Sequence, residues 1–209
     1  MNQEYIMLDT KKGKVIKKVR KFNKASEFYL PPQAIENLLA HAGSLRNRTI
    51  IAFMARCGLR RNEVRGLKLE DIDWSNGWVS VMGKGAKVRT VPLPGSIISD
   101  LRLLAGKRTK GFVFLSDSSS YKGKLMSTVS IGNIVRKAGV AAKLSNPNPS
   151  LRHINPHLLR HSFARNWLAE GKRKEILRMI LGHDSIRTTM DVYGEPTMEE
   201  IKKEFGDGK

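Results

Sequence analysis

Between Asn155 and Tyr193 the chain reads NPHLLRHSFARNWLAEGKRKEILRMILGHDSIRTTMDVY, and the spacing inside this stretch leaves few ways to fold it. Pro156 suits the first turn of a helix, where its missing N–H is no loss. His157, Arg160 and His161 then fall at offsets i, i+3 and i+4, which share one helix face. Leu159, Phe163, Trp167 and Leu168 supply a complementary apolar stripe, so this helix is expected to be buried along one side while its polar face lines a groove. A second helix is predicted from about Lys174 to Leu181, closed by Gly182 as a left-handed cap. His183 follows directly. Asp184 or Ser185 can cap a third short helix that carries the chain to Tyr193 and Gly194.

Taken singly, these residues have ordinary explanations. A histidine pair on one helix face is more often core or surface than catalytic, and a tyrosine near a C-terminus usually packs. The combination is more specific: His-x-x-Arg-His, then Leu-Gly-His, then Tyr193 ten positions beyond His183. This segment resembles the tyrosine recombinase family of the phage-integrase and Xer type. The resemblance implies a fold that is mainly α with a small antiparallel β-sheet (α+β), the catalytic-domain fold of that family.

Charge bears on the partner. Lys and Arg number 38 against 19 acidic residues, a formal charge of +19, which favours nucleic acid or an anionic surface. No run approaches the roughly 18 apolar residues of a membrane-spanning helix, and MNQEYIMLDT lacks the apolar centre of a secretory signal. The single Cys57, in the apolar run IIAFMARCG, excludes an intramolecular disulfide and reads as a small buried residue of a cytoplasmic chain.

Residues 11–24, KKGKVIKKVRKFNK, hold eight basic residues and no acid. They read equally as a solvated tail or as a DNA-backbone contact. Residues 1–29 are therefore assigned to a basic extension or linker, 30–195 to the catalytic domain, and 196–209 to a C-terminal tail helix. The resembled family normally carries a DNA-clamping domain before the catalytic one. With about 30 residues ahead of the first helix, the chain reads as a fragment or an unusually short member.

From Pro31, PPQAIENLLAHA predicts a helix with Ile35, Leu38 and Leu39 on one side, and a second is expected from about Leu45 to Cys57, closing at Gly58. The following GLRRNEVRGLKLEDIDW looks like the family's first catalytic box, with Arg60 and Glu63 at its positions. A planar guanidinium can hold two oxygens of one phosphate, which is why arginine suits that task. The plainer reading is an Arg60–Glu63 ion pair on a surface helix turn.

Beyond Asp73 the period becomes alternating: WSNG reads as a turn, Trp78–Met82 as a strand with Val79 and Val81 on one face, and Lys87–Leu93 as its return. Gly83-Lys84-Gly85 lies between them. Lysines at such tips are mostly just solvated, and a bare Gly-x-Gly is weak evidence for nucleotide binding. The resemblance gives Lys84 the place of a catalytic lysine on a hairpin, and makes Arg89 and Lys87 candidate DNA contacts. A helix is then expected over Pro94–Ala105, a short strand over Phe112–Leu115, a polar loop, a helix from the Ser127 cap to about Gly139, and a proline-rich loop leading to His157.

The resemblance implies these roles: Arg60, Arg160 and His183 hold non-bridging phosphate oxygens, His157 takes the phenol proton, Lys84 protonates the leaving 5′ oxygen, and Tyr193 is the nucleophile. Glu63 orients its neighbours, and His161 supports the site from beneath. His41 and His153 have no assigned part. No Cys-His or carboxylate cluster has metal-ligand spacing, so neither metal nor other cofactor is expected. The expected partner is double-stranded DNA, with self-association on it. Two other readings stay open, a type IB topoisomerase-like nicking and closing enzyme and a non-catalytic DNA-binding module. The tail places Met198, Ile201 and Phe205 at spacings of three and four, an amphipathic helix too short to stand alone in water. It needs a surface, either its own domain or a neighbouring subunit.

Overall fold

The computed structural model describes residues 28–83, 87–182 and 197–206. Among these, the helices are α1 (Pro32–Ala40), α2 (Leu45–Arg56), α3 (Arg61–Gly66), α4 (Gly95–Ala105), α5 (Thr128–Ala141), α6 (Pro156–Ala169), α7 (Lys174–Leu181) and α8 (Met198–Phe205). One antiparallel sheet runs β1 (Ile72–Asp73), β2 (Trp78–Met82), β3 (Val88–Pro92), in that spatial order. The expected class, mainly helical with a small antiparallel sheet, is the one found.

Helix α2 is the axle. Residues Thr49 to Ala55 are all buried, so it is apolar on every side through its centre and packs between α4 and α6. Ser44 starts it, its hydroxyl accepting the Asn47 N–H at 3.2 Å. Phe53 meets Phe114 edge to face, with ring centroids 5.9 Å apart. Cys57 is fully buried, and burial pushes its thiol far up, which leaves it a packing residue.

The hairpin pairs Val79 with Val91 and Val81 with Arg89. Val79, Val81 and Val91 face the core, while Ser80, Met82, Val88 and Thr90 face outward. The Trp74–Gly77 turn that joins β1 to β2 is fastened by the Asp73 carboxylate, which accepts the backbone N–H groups of Ser75 and Asn76. Strand β1 has no alternating signature of its own, since two residues are too few to show a period.

The segment Phe112–Leu115 is not a strand. Phe112 bridges Lys68 and Leu115 bridges Leu125, so successive residues pair with different partners and no ladder forms. Val113 and Phe114 are nonetheless buried, which explains their strand-like composition.

The caps of the C-terminal part match expectation. Asn155 caps α6, accepting the Leu158 N–H at 3.0 Å, with Pro156 in the first turn. Ser127 caps α5, and α7 ends at Gly182 in the left-handed region with φ 63°. On α6, Leu158, Leu159, Phe163 and Trp167 are buried. Leu168 is 39% exposed, so the apolar stripe ends at Trp167. The tail helix α8 packs on its own chain, with Ile201 buried and the Phe205 ring against Phe163 and Trp167 at 6.2 and 5.9 Å. Met198 is exposed, because only Ile201 and Phe205, four apart, reach this seat.

Candidate active site

Three guanidiniums from three parts of the chain meet at one carboxylate. Arg60 caps the start of α3, Glu63 sits in its first turn, Arg89 lies on β3 and Arg160 on α6. Glu63 is the centre, with 5% of its side chain exposed. Its Oε2 accepts the Arg60 backbone N–H at 2.6 Å, and its Oε1 accepts from the Arg60 guanidinium at 2.9 Å. Arg89 makes a two-pronged contact to the same carboxylate, at 2.9 and 2.8 Å, a geometry to which its planar fork is suited. Arg160 lies at 4.0 Å.

Burial alone would raise the Glu63 carboxyl. Hydrogen bonds from Arg89 and Arg60 outweigh it and hold the group below its ordinary value. Arg160 moves the other way. Burial, aided by the positive charge of Arg60, lowers it to about 10, against the opposing pull of Glu63, and it remains a cation at neutral pH. Three guanidiniums around one carboxylate leave the cluster with an excess of positive charge. Arg60 is the one most open to solvent, at 43% exposure against 12% for Arg89 and Arg160.

Backbone carbonyls aim two of these guanidiniums. Arg160 donates to the Gly58 carbonyl and, at 2.7 Å, to that of Leu181. Arg89 Nε donates to the Ile180 carbonyl at 2.6 Å. Gly58 adopts φ 67°, and a Cβ there would lie 2.5 Å from the Phe163 ring. At Gly182 a Cβ would sit 3.0 Å from Arg89 Cδ. Both glycines of the Gly-Leu-Arg and Leu-Gly-His motifs thus admit close packing around the charged cluster.

The structure brings together Arg60, Glu63 and Arg160, residues that the resemblance assigned to one site. The Arg60–Glu63 ion pair of the plainer reading is also present, but Glu63 is buried and shared, unlike a surface pair. Arg89, expected at DNA, is instead turned inward, where it holds Glu63 and the end of α7. His157 is exposed in the first turn of α6, and His161 is half-buried on the same helix. Lys87 is exposed at the mouth of the hairpin. Lys84, His183 and Tyr193 lie outside the described residues. The carbonyls of Gly58, Ile180 and Leu181 were not foreseeable from residue type, because every residue carries one. No helix among the described residues is long and apolar enough to cross a membrane.

An exposed guanidinium backed by a buried carboxylate and two further fixed guanidiniums is suited to a phosphate-like oxyanion. The sequence profile of the phage integrase family matches residues 29–200, most of the chain and all four of these side chains.

The chain belongs to the phage integrase family.

Tyrosine recombinase XerA of Pyrococcus furiosus is 32% identical over 161 residues, which cover 76% of this chain and 53% of that protein. Tyrosine recombinase XerC of Halalkalibacterium halodurans is 32% identical over 220 residues, covering 97% and 66%. The chain spans about half the length of several of these curated relatives, among them the XerA protein at 53%. Among solved structures, that of XerA recombinase aligns with a TM-score of 0.63 at 24% identity, over 84% of this chain and 62% of that one, a likeness of fold. XerH site-specific recombinase bound to its difH substrate, in a pre-cleavage complex, aligns with a TM-score of 0.59 at 26% identity, over 84% and 52%.

Proposed function

We propose that this member of the phage integrase family cleaves and rejoins DNA strands at specific sites through a 3′-phosphotyrosine intermediate on Tyr193. The observation that carries the reading is the Arg60–Glu63–Arg89–Arg160 cluster, assembled from distant segments and kept cationic while nine-tenths of Arg160 is withdrawn from water.

The chemistry follows from need. A phenol titrates near 10, so forming phenolate at neutral pH costs about 4 kcal/mol unless a base or cation assists. His157 takes that proton. The Tyr193 oxygen attacks phosphorus, and the bond from phosphorus to the 5′ oxygen breaks. Charge on the non-bridging oxygens is met by Arg60, Arg160 and His183; the two guanidiniums are already held in place and need little rearrangement as the transition state forms. Lys84 gives its proton to the departing 5′ oxygen. Attack by a 5′ hydroxyl of a partner strand reverses the step, and the phosphotyrosine conserves the bond, so no nucleotide triphosphate is required. The partner is double-stranded DNA, on which copies of the chain assemble.

The test is incubation with nicked duplexes carrying candidate sites, followed by a denaturing gel. A covalent protein–DNA adduct is expected, absent from Tyr193→Phe although that variant keeps its affinity. Binding with no adduct on any substrate would leave a DNA-binding module, and supercoil relaxation without exchange between two sites would indicate a nicking and closing enzyme.

A further inference from the structure

The Glu63 carboxylate has no room for a further donor. An ionised carboxylate offers about four acceptor positions, two on each oxygen. Those on Oε1 are taken by Nη1 of Arg60 and Nη1 of Arg89, both at 2.9 Å. Those on Oε2 are taken by the Arg60 backbone N–H at 2.6 Å and by Nη2 of Arg89 at 2.8 Å. Arg89 thus fills half of them. Arg160, with Nη1 4.0 Å from Oε2, stays outside hydrogen-bond reach and donates to the Gly58 and Leu181 carbonyls. Arg60 gives the carboxylate one side-chain N–H and keeps 43% of its side chain exposed. Arg89 itself is locked in place, buried, with its Nε on the Ile180 carbonyl and its Cδ 3.0 Å from where a Cβ on Gly182 would stand.

We propose that Arg89 is a positioning residue that keeps Arg60 turned outward for a phosphate: by occupying two of the acceptor positions of Glu63, it denies Arg60 a two-pronged pair with the same carboxylate. Arg89 touches no substrate; it acts through Glu63. The physical reason is competition between donors. A buried carboxylate stripped of its partners is costly, so removing Arg89 forces Glu63 to recruit another donor. Arg160 is tied to two carbonyls, whereas Arg60 already touches Oε1 with an exposed guanidinium that can swing inward. A two-pronged Arg60–Glu63 pair would satisfy the carboxylate and point the Arg60 fork away from any phosphate oxygen. The cluster would also lose one positive charge, leaving less to meet an anion.

The part played at the phosphate rests on the function proposed above, but the hold on Arg60 can be measured without DNA. The test compares the full chain with Arg89→Ala and with Arg89→Lys, which keeps the charge beside Glu63 while giving up the fork. The deciding readout is rotation of the Arg60 guanidinium about its Nε–Cζ bond, followed by nuclear magnetic resonance. A merely structural role has the opposite sign: loosening of the site would speed this rotation, whereas capture by Glu63 slows it. Slowing by about tenfold is expected in Arg89→Ala, and by less in Arg89→Lys. Adding Glu63→Gln to either variant should restore the faster rotation, since a neutral amide has one acceptor oxygen. At saturating nicked duplex, the single-turnover adduct rate of Arg89→Ala should fall by about tenfold with nearly unchanged affinity. Rotation that speeds up or stays the same in a folded Arg89 variant would overturn the proposal, and if Arg89→Ala does not fold, Arg89→Lys decides. An unchanged adduct rate beside slowed rotation would overturn the part played at the phosphate. Should the unmodified chain form no adduct on any duplex, the proposed chemistry fails, and Arg60 rotation still decides what Arg89 does.

Discussion

Gly58 lies against the ring of Phe163, so near that a methyl group on its Cα would stand 2.5 Å from the ring carbon Cδ1. The same residue has φ 67° and offers its carbonyl to Arg160. One glycine therefore ends α2, seats α6 and aims the Arg160 guanidinium.

Gly58→Ala meets both a left-handed backbone, unfavourable by about 1–2 kcal/mol for a residue with a Cβ, and overpacking that adds typically 1–3 kcal/mol. We expect a loss of roughly 2–4 kcal/mol in urea unfolding and weaker adduct formation. A change below about 0.5 kcal/mol, the range of neutral surface substitutions, would contradict the packing described.

Glu63 makes stability depend on acid. Its carboxyl in the folded chain titrates below the ordinary 4.5, so its stabilising contribution is complete above that pH and is lost as pH falls through the folded value. Glu63→Gln should lower the melting temperature at pH 7 and flatten its decline below pH 4.5. Parallel melting curves for the two proteins across pH 3–6 would show that this carboxylate is not the titrating group.

Lys84→Ala should slow cleavage of ordinary DNA far more than cleavage of DNA with sulfur at the 5′-bridging position, because a thiolate leaves without a proton. Single-turnover rates on both substrates provide the comparison. Equal slowing would deny Lys84 the part of general acid.

Binding should weaken steeply with salt as phosphate contacts release counterions, with a log–log slope measurable by fluorescence anisotropy. Cleavage should persist in EDTA, since arginines supply the electrostatic stabilisation. Strict dependence on a divalent ion in the cleavage step would assign the chemistry elsewhere.

Much of this molecule was legible from residue order because local rules act locally. Pro156 behind Asn155, Ser127 before α5 and Gly182 after α7 mark helix ends through their own backbone chemistry, and the observed ends agree. The alternation from Trp78 to Leu93 gave the hairpin and its buried valines. The spacing of Arg60 from Glu63, and of His157 from Arg160, placed each pair on one surface, and a resemblance to known recombinases joined the two pairs. Long-range direction was a different matter. Arg89 has the same composition and neighbours whether it faces DNA or Glu63; its inward turn is set by the end of α7, which packs beside it from 91 residues away. Phe112–Leu115 has the residues of a strand but lacks a continuous partner, and Leu168, 39% exposed, fell outside the buried stripe that ends at Trp167. The tail's amphipathic spacing called for a partner surface without naming it. Its seat on Phe163, Trp167 and Arg173 exists only after α6 and α7 have been brought together. Sequence periodicity thus determined which faces had to be covered, and the motifs that carry the resemblance which side chains were candidates for phosphate chemistry, whereas only tertiary packing decided what covers each face and where each guanidinium points, because both depend on contacts between segments with no local signal of one another.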